Sequence, residues 1–529
     1  MSKIKKVLSL VLALSICLSV FSVLSIQVAA EPDEESDPGT PIYLDTSYSF
    51  AERAADLISR MTLQEKASQM ISSRAPAIPR LGIETYGWWN ECLHGVSSLQ
   101  LNASGNSSMV WNTTSYPISL SLGASWDPEL MYREAVAISD EAREVVPDNR
   151  RNLTFYSPTV NLARDPRWGR NDEAFSEDPY LTGKIASQFV NGLEGKDMNG
   201  NLLDPDGYYK AIATLKHYTA NNSEASRLSG NSAVDIRSLR EYYTAPYRNV
   251  IREADVQSIM TAYNTVNGIP ATVSVYLLDR LLRQTFGFSG YVTTDCDSIS
   301  RITVGHNWIP EGWTRPVDYY ERSAFAMMAG TDLECNEGYR DNYNYTNTVP
   351  QAIERGIKTE TGTFTENDVD TALLRLFTTR MMLGEFDDPQ SVRWIAEARE
   401  RVPQGTWTNS NNNNAITQTP ERLELAREVA AKSIVLLKND EITKKDGTVG
   451  KLLPVEVPTS GPFKVAVIGY FANPNSVNLG GYSAIQGSNA NKNIVSPYNG
   501  IKNAIQAINP EAEVTYYKGF TDSGTSAIA

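Results

Sequence analysis

The chain has 529 residues, with 41% hydrophobic and 21% charged residues, a composition typical of globular proteins rather than of disordered chains. The formal net charge is −14 and the pI is about 5.0. This balance argues against nucleic acid as a partner, because nucleic-acid binding needs clustered Lys and Arg.

Residues 1–30 have the pattern of a secretory signal peptide. A basic start precedes an apolar run over 7–24, and the small residues 28–30 form the cleavage site. An uncleaved membrane anchor is the alternative, since the apolar run is long for a signal. No later stretch is long enough to span a bilayer. The sequence therefore predicts a secreted, extracellular protein without a membrane segment after cleavage, with a disordered leader over 31–47.

Strand-like apolar runs alternate with helical patterns over the next 350 residues or so. After a helical pattern over 48–71, the predicted strands are 84–89, 119–125, 153–160, 211–218, 258–264, 290–296 and 331–335. The predicted helices between them are 127–145, 179–194, 236–254, 274–286 and 318–329. Asp127 as N-cap and Pro128 as first helical residue mark one helix start. Alternating strands and helices favour an α/β fold, a (β/α)8 TIM-like barrel over 48–399.

A second unit is predicted after a polar, Asn-rich linker over 400–420. Its predicted elements are a helix over 421–432, strands over 433–437, 464–470 and 513–517, a Gly-rich segment over 479–487 and a helix over 498–507. This pattern indicates the beginning of a second α/β domain over 421–529, which we expect to be incomplete.

The motifs of metal and cofactor sites are absent from the sequence. There is no HExxH, GxGxxG or P-loop, and the spacing of the four Cys fits no zinc site. We therefore expect no metal and no cofactor. Without the Cys17 of the signal, three Cys remain, so one is unpaired.

Polar and aromatic side chains follow several predicted strands. They are Trp89, Glu91, Arg170, Lys216, His217, Tyr263 and Asp295. Because strand ends meet at one mouth of a barrel, these side chains are expected to converge there. Aromatic faces pack on sugar C–H groups and charged groups bond hydroxyls, so the pattern favours a polyhydroxylated ligand.

The chain resembles glycoside hydrolase family 3, in its β-xylosidase-like branch. The matching stretches include YGWWNECLHGV (86–96), FYSPTVNLARDPRWGRNDEAFSEDPYLTG (155–183), TLKHYTANNSE (214–224), SIMTAYNTVNGIPA (258–271), GYVTTDCDSI (290–299) and GTDLEC (330–335). Downstream, SIVLLKND (433–440) and KVAVIGYFAN (464–473) look like the start of that family's second domain, an α/β sandwich. The resemblance spans nearly all of 48–529.

The resemblance implies a retaining double displacement at two carboxyl groups. It assigns the nucleophile to Asp295, for which a low pKa would be suitable because the attacking group must be ionised. A strand-end Asp that caps the next helix is the alternative reading of Asp295. We assign a capping or structural role to Asp297 instead.

The resemblance also implies residues that hold the sugar. Arg170, Lys216 and His217 are the predicted hydroxyl-binding cations, with Arg227 as a weaker candidate. Glu91, Trp89 and Tyr263 complete the predicted pocket. Trp88 and Trp168 are expected to pack, His94 to bond backbone groups, and Tyr156 is open between core and pocket.

A disulfide between Cys296 and Cys335 is implied as well. It would narrow the pocket, exclude the C6 hydroxymethyl group of glucose and favour a pentose. Cys92 would then be free and buried.

The predicted function is release of terminal β-D-xylose from xylo-oligosaccharides. The alternatives are a β-glucosidase, an α-L-arabinofuranosidase, or a sugar-binding protein without catalysis. In the resembling family the general acid/base is a Glu far along the second domain, and Glu441, Glu456, Glu511 and Glu513 lack that context. We therefore expect this chain to lack its acid and to be weak on alkyl glycosides. The oligomeric state is left open.

Overall fold

The computed structural model describes residues 39–519 except 100–107, 110–112, 147–150, 337–341, 404–405, 408–415, 474–478 and 485–494. The predicted signal peptide at 1–30, Cys17 and the first part of the leader lie outside these residues. The described end of the leader is ordered: Ile42–Leu44 is a 3-10 helix, and the Tyr43 N–H donates to Asp56 Oδ2 at 3.1 Å. The prediction of disorder is therefore wrong from residue 41, because the buried Tyr43 ring anchors this segment to the fold.

Four parallel strands form the centre of the barrel. They are β1 (Thr154–Phe155), β2 (Ile212–Tyr218), β3 (Ser258–Thr261) and β4 (Tyr291–Thr294), hydrogen-bonded in the order β1-β2-β3-β4. Every residue of these strands is buried. This is the burial expected of parallel strands that are covered by helices on one side and by side chains of the barrel interior on the other.

Further segments continue the ring from β4 back to β1. The connecting contacts are a parallel bridge between Thr293 and Leu333, a parallel bridge between Ile71 and Glu334, the bond from Trp88 N to Ser72 O, and the bond from Tyr156 N to Asn90 O. The TIM-like α/β architecture is thus confirmed. One junction departs from uniform alternation, since Ala75 and Tyr86 pair antiparallel with only the short 3-10 helix Pro79–Leu81 between them.

One strand prediction and the end of one helix prediction in the barrel differ from the structure. Residues 119–125 are the helix Ser119–Ser125, in which Gly123 packs so closely that a Cβ there would lie 1.7 Å from the Phe175 carbonyl oxygen. The small residues of SLSLGAS allow this contact, which the apolar pattern cannot reveal. Ile71, at the end of the helical pattern predicted over 48–71, instead pairs with Glu334 as part of the ring.

Helices surround the strands. In chain order they are Phe50–Ser59, Leu63–Gln69, Ser119–Ser125, Pro128–Val145, Pro179–Glu194, Ile236–Ser238, the π-helix Leu239–Tyr243, Ala245–Ala254, the π-helix Tyr276–Thr285, Ser298–Val304, Tyr319–Ala329, Tyr345–Glu354, Glu366–Met382 and Arg393–Arg401. The predicted cap is confirmed, since Asp127 accepts the N–H of Leu130. Among the described residues, no helix combines the length and apolarity needed to cross a membrane.

The segment after 400 packs partly on the barrel. The helix Pro420–Lys432 places Leu425 and Val429 in the barrel core, and Arg422 bonds Glu144 at 2.8 Å. Two parallel strands, Lys464–Ile468 and Glu513–Tyr517, and the helix Pro497–Ile508 form a small separate core. The predicted strand at 433–437 is wrong: these residues form no strand, and Leu437 is 92% exposed. Among the described residues, no neighbouring strand pairs with the backbone of this segment.

Candidate active site

The carboxyl group of Asp295 lies at the end of β4, inside the ring. Its Oδ1 accepts the Cys296 N–H at 2.8 Å, whereas Oδ2 is buried and accepts no hydrogen bond from any described residue. A buried, unsatisfied carboxylate oxygen is costly unless something outside the protein contacts it. The site therefore presents one free oxygen for a ligand.

Burial raises the pKa of Asp295, although the Arg170 guanidinium, the Cys296 N–H, Lys216 and Arg227 each act to lower it. The expectation of a low pKa is wrong for this structure. The sequence predicts cations near Asp295, but it does not reveal that the carboxyl group is buried. Desolvation outweighs the cations, because the charged form of a carboxyl loses most when it is buried.

His217 faces Asp295 from the end of β2. Its Nδ1 lies 3.0 Å from Asn161 Oδ1, and that same oxygen accepts the His217 backbone N–H. The amide of Asn161 donates to the Asn221 carbonyl, which identifies Oδ1 as the acceptor. Hence Nδ1 of His217 carries the proton, and Nε2 points toward the pocket.

His217 is neutral rather than cationic. Burial and the neighbouring Arg170 and Lys216 lower the pKa of His217 well below its usual range. The sequence prediction of a hydroxyl-binding cation is therefore wrong in charge. With its proton on Nδ1, the ring offers the Nε2 lone pair, so it can accept a hydrogen bond from a ligand hydroxyl.

Lys216 and Glu91 form a buried ion pair. Lys216 Nζ lies 2.8 and 3.0 Å from the two oxygens of Glu91, and both side chains are at most 2% exposed. Burial raises the pKa of Glu91 to about 7 against the opposing influence of Lys216. For Lys216, burial acts to lower the pKa, but Glu91, Tyr482 and Glu173 together outweigh it and keep the pKa above its ordinary value.

Arg170 is bound by Glu173, which was not predicted. Nε and Nη2 of Arg170 donate to the two Glu173 oxygens at 2.7 and 2.5 Å. Although burial acts to lower the pKa of Arg170, this bidentate pair raises it, so the guanidinium stays charged. The predicted cation is thus present next to the pocket, and Glu173 orients it.

The other side of the pocket contains Arg227. Its guanidinium lies 5.1 Å from the centre of the Tyr263 ring and 3.3 Å from Glu224. Glu224 also accepts the indole N–H of Trp168 at 3.2 Å. Tyr263 and Arg227 therefore lie together, while Trp168 serves to hold Glu224.

A small apolar cluster lines the pocket beside Asp295. Its members are Trp89, Tyr156, Met260, Cys296 and Cys335. The structure contains the disulfide between Cys296 and Cys335, and Cys92 is free and buried. Trp88 packs in the main core on the opposite face, in agreement with the prediction, and Tyr156 belongs to the pocket cluster.

A residue of the second unit, Tyr482, reaches the same place and was missed from the sequence. Lys216 Nζ lies 4.3 Å from the centre of its ring. Lys216 acts to lower the pKa of Tyr482, but burial and the carboxylates of Glu91 and Glu173 outweigh it and raise the pKa. The Gly-rich stretch 479–487 was the only sequence feature that pointed to this segment. Gly-rich stretches have many roles, so it did not indicate that Tyr482 reaches the pocket.

No group of three or more His, Cys, Asp or Glu in the described part of the chain could hold a metal ion. The arrangement consists of a buried carboxylate with one free oxygen, hydrogen-bond donors and acceptors around it, and aromatic and sulfur surfaces beside it. Chemically it can bind hydroxyl groups and provide a nucleophilic oxygen.

The model of the glycosyl hydrolase family 3 N-terminal domain matches residues 101–379, more than half of the chain. The chain belongs to glycosyl hydrolase family 3. It is 34% identical over 466 residues to "Probable beta-D-xylosidase 7" of Arabidopsis thaliana, covering 86% of this chain and 54% of that protein. It is 31% identical to "Xylan 1,4-beta-xylosidase" of Xylanibacter ruminicola, covering 83% of this chain and 45% of the other.

Solved structures of this family have the same architecture. An exo-β-xylosidase of family 3 in complex with a xylobiose aziridine probe superposes with a TM-score of 0.71 at 28% identity, over 92% of this chain and 55% of that one. A β-glucosidase of Kluyveromyces marxianus in complex with glucose gives 0.64 at 26% identity, over 88% and 46%. The family 3 chain spans about half the length of the relatives it matches.

Proposed function

We propose that this family 3 chain belongs to a secreted, exo-acting, retaining glycoside hydrolase that releases terminal β-D-xylose from xylo-oligosaccharides. The observation that carries the proposal is the buried Asp295, whose free Oδ2 lies in a polar cup beside the disulfide. The xylosidase names of the similar proteins support the substrate class. The signal-like pattern at 1–30 supports export.

In this mechanism Asp295 Oδ2 bonds to the anomeric carbon as the glycosidic oxygen leaves with its electron pair and takes a proton from an acid. Water then replaces the carboxylate and releases xylose. The family resemblance assigns the acid to a Glu of the second domain. Glu441, Glu456, Glu511 and Glu513 are all exposed.

Lys216, Glu91 and His217 supply complementary groups for sugar hydroxyls. The ammonium donates hydrogen bonds, while Glu91 and the neutral His217 accept them. A pyranose carries several hydroxyls that both donate and accept, so a mixed set of this kind discriminates in favour of sugars.

The disulfide favours a pentose. Cys296 directly follows Asp295, and its bond to Cys335 places sulfur atoms and the Trp89 ring beside the carboxylate. The hydroxymethyl group of a hexose would need space where the disulfide and the Trp89 ring lie. β-Glucosidase activity is the second candidate, because a family 3 protein with a similar fold binds glucose.

Labelling with a 2-deoxy-2-fluoro-β-xyloside that has a dinitrophenyl leaving group tests the proposal, since this leaving group needs little protonation. We expect mass spectrometry to find the label on Asp295 and none on the Asp295→Asn variant. Labelling of another residue would overturn the nucleophile assignment. Labelling only by the corresponding fluoroglucoside would select the β-glucosidase. Cleavage before Glu31 in protein recovered from culture medium tests export.

A further inference from the structure

Asn161 holds the backbone and the ring of His217 at the same time. The segment that follows β1 pairs in parallel with β2, through a bridge between Thr159 and Lys216 and a bond from Val160 N to Lys216 O at 2.8 Å. This register places Asn161 beside His217. Both side chains are buried, at 4% and 2% exposure, so their hydrogen-bond partners must come from the protein or from a ligand.

The orientation of the Asn161 amide follows from groups that can only donate or only accept. Its Oδ1 lies 2.8 Å from the His217 backbone nitrogen, whose N–H only donates. Its Nδ2 lies 3.0 Å from the Asn221 carbonyl oxygen, which only accepts. A flipped amide would place donor against donor and acceptor against acceptor. Since the same Oδ1 lies 3.0 Å from Nδ1 of the ring, Nδ1 must carry a proton.

The opposite nitrogen of the ring faces the proposed nucleophile. Nε2 of His217 lies 3.6 Å from Asp295 Oδ2, beyond hydrogen-bond distance, and Oδ2 accepts no hydrogen bond from any described residue. A second proton on the ring would be bound to Nε2 and would point at this oxygen. The resulting imidazolium would form an ion pair with Asp295 and would occupy the oxygen that a sugar needs.

Three cations and one carboxylate act on the ring. Burial lowers the pKa of His217, and the cations act in the same direction. They are Arg170, Lys216 and Arg227. The carboxylate is that of Asp295, which favours a second proton on the ring. An amide at position 161 adds no charge to this set, whereas a carboxylate so close to Nδ1 would favour the imidazolium as well.

We propose that Asn161 is a positioning residue, whose amide oxygen keeps a single proton of the His217 ring on Nδ1 and thereby keeps Asp295 Oδ2 free for the sugar. An amide rather than a carboxylate at this position prevents an ion pair inside the pocket. The protonation of the ring is a property of the protein without sugar. Only the use of Oδ2 as a nucleophile rests on the proposed function.

Asn222 provides a matched control, because it links the same two segments of the chain. Its Nδ2 donates to the Leu162 carbonyl at 2.8 Å, one residue beyond the contact between Asn161 and the Asn221 carbonyl. This bond does not involve His217. The variant Asn222→Asp therefore removes the same kind of bond and adds the same charge as Asn161→Asp, without a carboxylate at Nδ1 of the ring.

Nitrogen NMR of the 529-residue chain, with ¹⁵N-labelled histidine, detects the protons on the ring directly. The chain has three His, and the signals of His217 are those that disappear in His217→Gln. At pH 7 we expect Nδ1 alone to be protonated in the wild type and in Asn222→Asp, and both nitrogens to be protonated in Asn161→Asp. A proton on Nε2 in the wild type, or a proton on Nδ1 alone in folded Asn161→Asp, would overturn the proposal.

If Asn161→Asp does not fold, Asn161→Ala takes its place. Without the amide oxygen, Nδ1 has lost its acceptor, so part of the population should carry the ring proton on Nε2 instead. A proton that stays on Nδ1 throughout in Asn161→Ala would overturn the proposal, because another group would then fix it there.

Labelling with the 2-deoxy-2-fluoro-β-xyloside tests the consequence for Asp295. A charge-assisted hydrogen bond that must break before attack corresponds to about a ten- to hundredfold lower labelling rate in Asn161→Asp. Asn222→Asp should be labelled at the wild-type rate. A wild-type rate in Asn161→Asp with both ring nitrogens protonated would overturn the proposal, since the ion pair would not withhold Oδ2. If no protein is labelled while the NMR results hold, the proposed function fails and the effect of Asn161 on the ring stands.

Discussion

His217 Nε2 lies 3.6 Å from Asp295 Oδ2, and neither atom supplies a proton to the other. The ring is neutral with its proton on Nδ1, so two acceptors face each other across the pocket. A sugar hydroxyl that donates to His217 Nε2 would satisfy that acceptor and leave Asp295 Oδ2 free to attack. The pair is thus arranged for a ligand rather than for an ion pair within the protein.

Replacing Asp295 by Asn should abolish turnover of 4-nitrophenyl β-xyloside, by about 10³-fold or more, because the amide is a poor nucleophile. Asp297→Asn is the matched control. Asp297 has φ 64° and no side-chain capping bond, which corrects the capping role assigned to it, and Asn tolerates this conformation. Steady-state rates of both variants check the prediction. Equal losses in the two variants would contradict the assignment of Asp295.

Replacing Lys216 by Met should lower the free energy of unfolding by about 3–5 kcal/mol, because it leaves the Glu91 carboxyl buried without its partner. The double variant Lys216→Met with Glu91→Leu should recover most of this loss, since no unpaired charge remains. Denaturant unfolding measures both values. A single variant as stable as the wild type would show that the buried pair is not formed.

Removing the disulfide by Cys296→Ser with Cys335→Ser should raise the ratio of kcat/KM for the β-glucoside to that for the β-xyloside by about tenfold. The reason is that, without the covalent bond, residues 296 and 335 can move apart and make room for a hydroxymethyl group beside Asp295. Cys92→Ser, at the free buried thiol, should leave the ratio unchanged. An unchanged ratio in the active double variant would remove the disulfide from the explanation of specificity.

The contribution of Glu91 to the stability of the fold should fall as the pH rises from about 4.5 to about 7. Its pKa is raised from 4.5 to about 7, so across this range the folded state holds a proton that the unfolded state has lost. Glu91→Gln should therefore flatten the decline, by at most about 3 kcal/mol in total. Glu194→Gln should flatten it less, because burial raises the pKa of Glu194 only to about 6. Unfolding free energies measured from pH 4.5 to pH 7.5 check both variants. A Glu91→Gln profile parallel to the wild type would show that this carboxyl does not titrate in that range.

Local patterns predicted the elements whose signals are local. The Asp127–Pro128 start and the helix that follows it were predicted correctly because capping depends on adjacent residues. The alternation of Trp88 and Trp89 placed one ring in the core and the other in the pocket, since neighbouring side chains of an extended segment point to opposite faces. The segment 119–125 was misread, because its helical form depends on the distant Phe175 backbone.

The sequence by itself determined the residue types of the site, the strand ends that carry them and the family whose motifs they match. Only the tertiary structure decided the charge of His217, the partner of Arg170, the burial of Asp295 and the presence of Tyr482 in the pocket. The physical reason is that protonation depends on desolvation and on all nearby charges. Those charges come from segments far apart in the chain, so no local pattern contains them.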